Sequence, residues 1–244
     1  QTLQPDDPLY NMVLSFRIRG ALNAGAFQSA FKGLVEACDA LRTVIDVVDG
    51  MPRQRVLAGG YGLPLVDLSG SRDPEIALED WLAEHRARAF DLSHGHCESA
   101  LLRLADDDHL WYLNQHHILT DASSVAILFN KQQALYRQAC EATPGDVAAL
   151  PAFADYVRFE AAQADSPQHR KARAYWSGQL ARPSAPSRFY QKSTPCLRGR
   201  TQRVEVPLGE ERSRRLRELS GQVPFRAFTG ELALFQIFAT VLFA

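Results

Sequence analysis

Residues 114–124 read NQHHILTDASS: two adjacent histidines, His116 and His117, three intervening residues, then Asp121. They lie where a strand-like run gives way to a helix-like one. In the run before them, Leu110, Tyr112, Asn114 and His116 alternate with Trp111, Leu113, Gln115 and His117. Successive strand side chains point to opposite faces, so the two histidines take different jobs: one packs into the fold, and the other faces a cleft at the sheet's end. From Asp121 to Gln138 the apolar positions Val125, Leu128, Phe129, Leu135 and Tyr136 recur at helical spacing, with Asp121 or Thr120 as cap. Asp121 would thus sit at a helix N-terminus, where backbone N–H groups and the macrodipole favour a carboxylate.

Working outward, SALLRLA and HLWYLNQ flank the acidic DDD and predict a hairpin with its turn in water. Upstream, MVLSFRIR (12–19) puts Met12, Leu14, Phe16 and Ile18 on one face of a strand. A helix capped by Asn23 follows, with Phe27, Phe31, Leu34, Val35, Cys38 and Leu41 as its stripe. TVIDVV and RQRVL read as short strands around Gly50 and Pro52, and Leu65–Asp67 as another. Residues 73–89 read as a helix with Ile76, Trp81 and Leu82 inward. Two more helices are expected at 151–164, opened by Pro151, and at 168–180.

Residues 182–200 hold prolines and polar residues without periodicity and read as a linker. Beyond them come a strand (TQRVEVPL), an exposed helix with basic residues (GEERSRRLRELS) and an apolar helix (FTGELALFQIFATVLFA) that must be buried. The fold class is α/β, with a first lobe over 1–181 and the start of an incomplete second lobe over 201–244.

Composition limits the function. Hydrophobic content of 46% with 23% charged residues is that of a soluble globular chain, and no apolar run approaches the roughly 20 residues that span a bilayer. A net charge of −1 gives no reason to expect nucleic acid, so neither nucleic acid nor membrane is an expected partner. Cys38, Cys97, Cys140 and Cys196 have no CxxC spacing and read as reduced thiols, which places the chain in the cytoplasm. No secretory signal is visible, although the chain begins with Gln1.

Three plain chemistries compete for the histidines. A helix cap after two structural histidines explains the letters cheaply. His116, His117 and Asp121, or His94, His96 and Cys97, are candidate metal ligands, but neighbours on a strand diverge and no HExxH spacing is present. A Ser-His-Asp hydrolase lacks its GxSxG elbow.

HHILTDASS resembles the HHxxxDG signature of condensation domains of nonribosomal peptide synthetases, members of the chloramphenicol-acetyltransferase-like superfamily marked by HxxxD. YNMVLSFRIRGALNAGAFQSAFKGLVEACDALRTVI resembles the family's opening strand, helix and LRT motif. RAFDLSHGHCESALLRLADDDHLWYLNQHHI resembles its FDL segment and hairpin, and ARAYWSGQL its YW helix. The resemblance runs from about residue 8 to 181, more weakly to 244, and implies a two-lobed fold.

It also implies roles. His117 becomes the catalytic histidine, with His116, Asp121 and Arg42 structural at the active site, Arg42 being the expected partner of a buried Asp121. Ala122, Ser123 and Ser124 are candidates to line the tunnel, although capping suits the serines better, and Trp176 is expected to pack. The implied reaction is attack of an acceptor amine on a donor thioester, giving an amide. No cofactor is bound directly, because 4'-phosphopantetheine arms of donor and acceptor carrier proteins deliver the substrates; neighbouring synthetase or synthase modules complete the partners. An imidazole titrating near neutrality can take the amine proton or hydrogen-bond the tetrahedral intermediate, an effect of about 10² to 10⁴ in rate. Positioning two tethered reactants supplies more.

Departures matter too. Ala122 replaces the family's glycine, adding a methyl and excluding backbone conformations that only glycine reaches with ease. ACD at 37–39 replaces the usual Arg-His-Glu before LRT. With most of the second lobe missing, the isolated chain is expected to show no condensation activity, and a carrier-dependent amide-forming assay checks this. Two alternatives share the motif: an ester-forming acyltransferase, and a noncatalytic domain that binds or recruits carrier proteins.

Overall fold

In a computed structural model, described over residues 7–141, 150–181 and 207–221, the chain divides into two compact units, 1–182 and 183–244. The first unit opens with a 3-10 turn, Pro8–Tyr10, capped by Asp7, and runs into β1 (Asn11–Arg19). α1 (Ala24–Ala37) starts at Asn23, whose side chain accepts the Ala26 N–H at 3.0 Å. A second 3-10 turn, Asp39–Arg42, leads to a two-stranded antiparallel ribbon of β2 (Thr43–Val48) and β3 (Met51–Val56). Its two-residue turn needs positive φ at both positions, which Asp49 (52°) and Gly50 (75°) supply.

β4 (Leu65–Asp67), α2 (Pro74–Arg86), β5 (Cys97–Ala105), β6 (Asp108–His116) and α3 (Ala122–Glu141) complete the site-bearing part. α4 (Phe153–Gln163) and α5 (Pro167–Leu180) follow. The main sheet has the order β1-β6-β5-β4, antiparallel except for the β4–β5 pair.

β6 lies between two partners and is buried on both faces, so its alternation sorts two cores instead of core from solvent. Trp111 and Leu113 join Leu101, the Phe27, Phe31, Leu34 and Val35 stripe of α1, and Leu128 of α3. Leu110 and Tyr112 join Ala100, Leu102 and Leu104 against Leu78 of α2. The expected inward set of α2 is corrected here. Ile76 is exposed, and Leu78, two residues on, fills the core with Trp81 and Leu82 beside it. Phe129 is partly exposed, though its ring centroid lies 5.0 Å from that of Phe16. Trp176 does not pack as expected: it is 60% exposed, with its ring against Tyr175.

In the second unit, α6 (Gly209–Gly221) is the exposed helix read from GEERSRRLRELS. The expected linker at 182–200, the strand over most of TQRVEVPL and the apolar C-terminal helix lie outside the described residues.

Candidate functional site

β6 delivers the chain to His116, whose side chain is buried, and the turn His117–Leu119 then carries His117 into solvent. The opposite fates of the two histidines follow from strand alternation and from where pairing stops. Asn11 of β1 is the register partner of His116, so His117 is the first residue beyond the ladder.

Every backbone N–H from His116 to Leu119 has a partner. The His116 N–H donates to the His96 carbonyl at 2.8 Å, and the His117 N–H to the Tyr10 carbonyl at 2.8 Å. The Leu119 N–H donates to the His116 carbonyl at 3.2 Å, and the Ile118 N–H to Nδ1 of His116 at 3.1 Å. Below the turn, the Thr120 hydroxyl points to Sδ of Met12 at 3.8 Å. An exposed imidazole therefore sits on a backbone that is fully tied down, which is what a group needs to meet a reactant in one orientation.

Asp121 and Ser124 form a reciprocal cap for α3. Oδ1 of Asp121 accepts the Ser124 N–H at 2.8 Å and the Ser124 hydroxyl at 2.7 Å, while Ser124 Oγ accepts the Asp121 N–H at 3.2 Å. These hydrogen bonds, the Ser124 N–H first, hold the Asp121 carboxyl below its ordinary range. The expectation of a buried Asp121 paired with Arg42 is corrected. Asp121 is exposed, and the guanidinium of Arg42 donates to three main-chain carbonyls: Val35 at 3.0 Å, Leu57 at 2.6 Å and Glu36 at 3.3 Å. Arg42 thus ties the end of α1 to the chain leaving β3, because a planar fork of donors suits the orphan carbonyls of a helix end.

Ala122 is the first residue of α3, and Asp49 is the only non-glycine with positive φ among the described residues. Alanine stands here without backbone strain, so the expected conformational penalty for losing glycine does not arise. The ACD departure has its own work: a carboxylate oxygen of Asp39 accepts the Phe153 N–H at 2.7 Å, fastening the start of α4. Ser123 and Ala122 are exposed beside the turn, and Ser124 is half-buried in the cap.

Burial sets the remaining electrostatics. His96, 2% exposed, is pushed down to about 4 by desolvation, against the pull of the Thr43 and Ala40 backbone. Desolvation lowers His116 as well. Among the described residues no group of three His, Cys, Asp or Glu side chains converges on a metal position, and no helix there is long and apolar enough to cross a membrane. Tyr10 and the carbonyl of His96 were not legible as site residues. Nothing in their letters marks them, and their place follows from the pairing of β1 and β5 with β6.

Comparison with known proteins points one way. The family model described as Condensation domain matches residues 1–222. Cyclosporin synthetase of Tolypocladium inflatum is 31% identical over 232 residues, 93% of this chain and 2% of that protein. A variant starter condensation domain of rhizomide synthetase, solved with C8-CoA and Leu-SNAC, superposes with a TM-score of 0.73 at 26% identity, covering 80% of this chain and 45% of that one. The first condensation domain of the calcium-dependent antibiotic synthetase, solved with a substrate analogue, gives a TM-score of 0.65 at 27% identity over 75% of this chain and 45% of that one. The chain spans 2–3% of the length of the first curated relatives and less than half of the solved domains.

Proposed function

The chain belongs to the condensation-domain family, and from that premise we propose that it carries the catalytic half of an amide-forming acyltransferase of a nonribosomal peptide or hybrid polyketide synthetase. The donor is an acyl or peptidyl thioester and the acceptor an amine, each held on the 4'-phosphopantetheine of a carrier protein, with neighbouring modules as partners. The observation that carries this reading is His117, an exposed imidazole on a turn whose N–H groups are all anchored.

In this mechanism the imidazole of His117 takes a proton from the acceptor amine, or hydrogen-bonds the tetrahedral intermediate, as the amine nitrogen attacks the thioester carbonyl. The C–N bond forms, the C–S bond breaks, and the proton leaves with the pantetheine thiol. Asp121 acts at one remove by closing the first turn of α3, and Arg42 holds the scaffold behind it. Ala122, Ser123 and Ser124 follow the turn in the first turn of α3, and in this reading they meet the acyl chain or the arm.

The experiment is product analysis by mass spectrometry from the synthetase that carries this chain, with paired amine and hydroxyl acceptors. Amide from the amine acceptor, falling about 10²-fold or more in His117→Ala, is the expected result. Ester from the hydroxyl acceptor alone would make it an ester-forming relative. Unchanged product in His117→Ala would replace catalysis with carrier recruitment.

A further inference from the structure

Four consecutive N–H groups, His116 to Leu119, hold the turn that presents His117, and three of them end on main-chain carbonyls. The fourth, that of Ile118, ends on a side chain, Nδ1 of His116 at 3.1 Å. It is therefore the one link of the turn that the identity of a side chain controls.

A backbone amide only donates, so Nδ1 must keep its lone pair, and the ring is the tautomer with its proton on Nε2. The ring is 5% exposed, its backbone is paired on both sides, and the Tyr10 ring lies 5.9 Å away, centroid to centroid. Tyr10 closes the circuit, because its carbonyl accepts the His117 N–H. The side chain of one histidine thus fixes the main chain of the next turn, from which the other projects.

Resting on the reading of His117 as the acting imidazole, we propose that His116 is a positioning residue: its Nδ1 acceptor latches the Ile118 amide and so sets the direction in which His117 is offered to the reactants. What matters at position 116 is then an acceptor one bond beyond Cγ, and ring bulk is secondary. Asparagine places Oδ1 where Nδ1 stands but is smaller, while phenylalanine keeps the ring volume and has no acceptor.

The test uses the ¹⁵N-labelled 244-residue chain and two variants, His116→Asn and His116→Phe. In the wild type, nitrogen spectra of the imidazoles should show His116 protonated on Nε2 alone, with scalar coupling from Nδ1 to the Ile118 amide nitrogen. Hydrogen exchange at Ile118 should stay within about 3-fold of wild type in His116→Asn and speed up about 5-fold or more in His116→Phe. The amides of β1 and β5 report that both variants are folded. In the condensation assay of the synthetase that carries this chain, kcat should follow the same order, near wild type for Asn and down about 10-fold or more for Phe, with KM little changed.

A proton on Nδ1, or an inverted order with Phe rescuing and Asn failing, would overturn the proposal and leave His116 as packing. So would unchanged turnover in both variants while His117→Ala is dead. If His117→Ala is also fully active, the functional reading falls and the positioning role with it; an Ile118 exchange result that still follows the Asn–Phe order would show that the failure lies in that reading and not in the latch.

Discussion

Arg42 and Asp121 carry opposite charges and invite pairing, but each has found nearer partners. Arg42 donates to three main-chain carbonyls, and bonds to a charged donor contribute more than neutral ones, so Arg42→Ala is expected to destabilise the chain by about 2–4 kcal/mol in urea titration. Arg42→Lys should recover only part of this, since a single ammonium cannot address three acceptors in a fork. Asp121→Ala removes a cap instead, and its melting temperature should fall by about 2–4 °C. Because the two side chains share no partner, the double variant should show additive effects; a coupling clearly different from zero would restore the ion pair. The folded carboxyl of Asp121 titrates below its ordinary range, so its contribution is present above that range and fades as pH falls through it.

At the scale of elements, the site depends on how β1, β6 and α3 meet. α3 has much exposed surface, and Leu128 is the residue that seats it in the core of α1 and β6, with Gln132 donating from Nε2 to the Phe27 carbonyl at 3.1 Å. Leu128→Ala should cost about 2–5 kcal/mol in chemical denaturation and speed amide exchange in the first turn of α3, where Asp121 caps. The strands and helices of the first unit were legible because their apolar periods are clean and two of their caps, Asn23 and Asp121, are strong acceptors. Ile76 misled because it stands five and six residues before Trp81 and Leu82, on the opposite face of a helix of 3.6 residues per turn; Leu78, three and four residues before them, shares their face and takes the core. The Arg42 contacts were not legible, since a carbonyl acceptor leaves no trace in the letters. Tyr10 escaped for a related reason: its ring gives no hint that its carbonyl ends the β1–β6 ladder against His117.

For the whole molecule, the interior holds histidines that are neutral when folded. His96, His109 and His116 are all buried, and burial lowers each below the ordinary imidazole range, His96 to about 4. Unfolding frees them to take up protons at ordinary values near 6.5, so below that pH the unfolded chain binds more protons than the folded one and stability falls as pH falls. For His96 the loss runs from about pH 6.5 to about 4 and amounts to about 3 kcal/mol at its end. Urea midpoints measured between pH 7.5 and 4.5 should therefore decline steeply, and replacing His96 by leucine should flatten the decline while leaving the slope of each transition unchanged. A wild-type midpoint that stays level over this range would mean that these rings are hydrated or already charged in the folded state. The sheet could not then keep the dry interior on which the burial of His116, and with it the outward presentation of His117, is built.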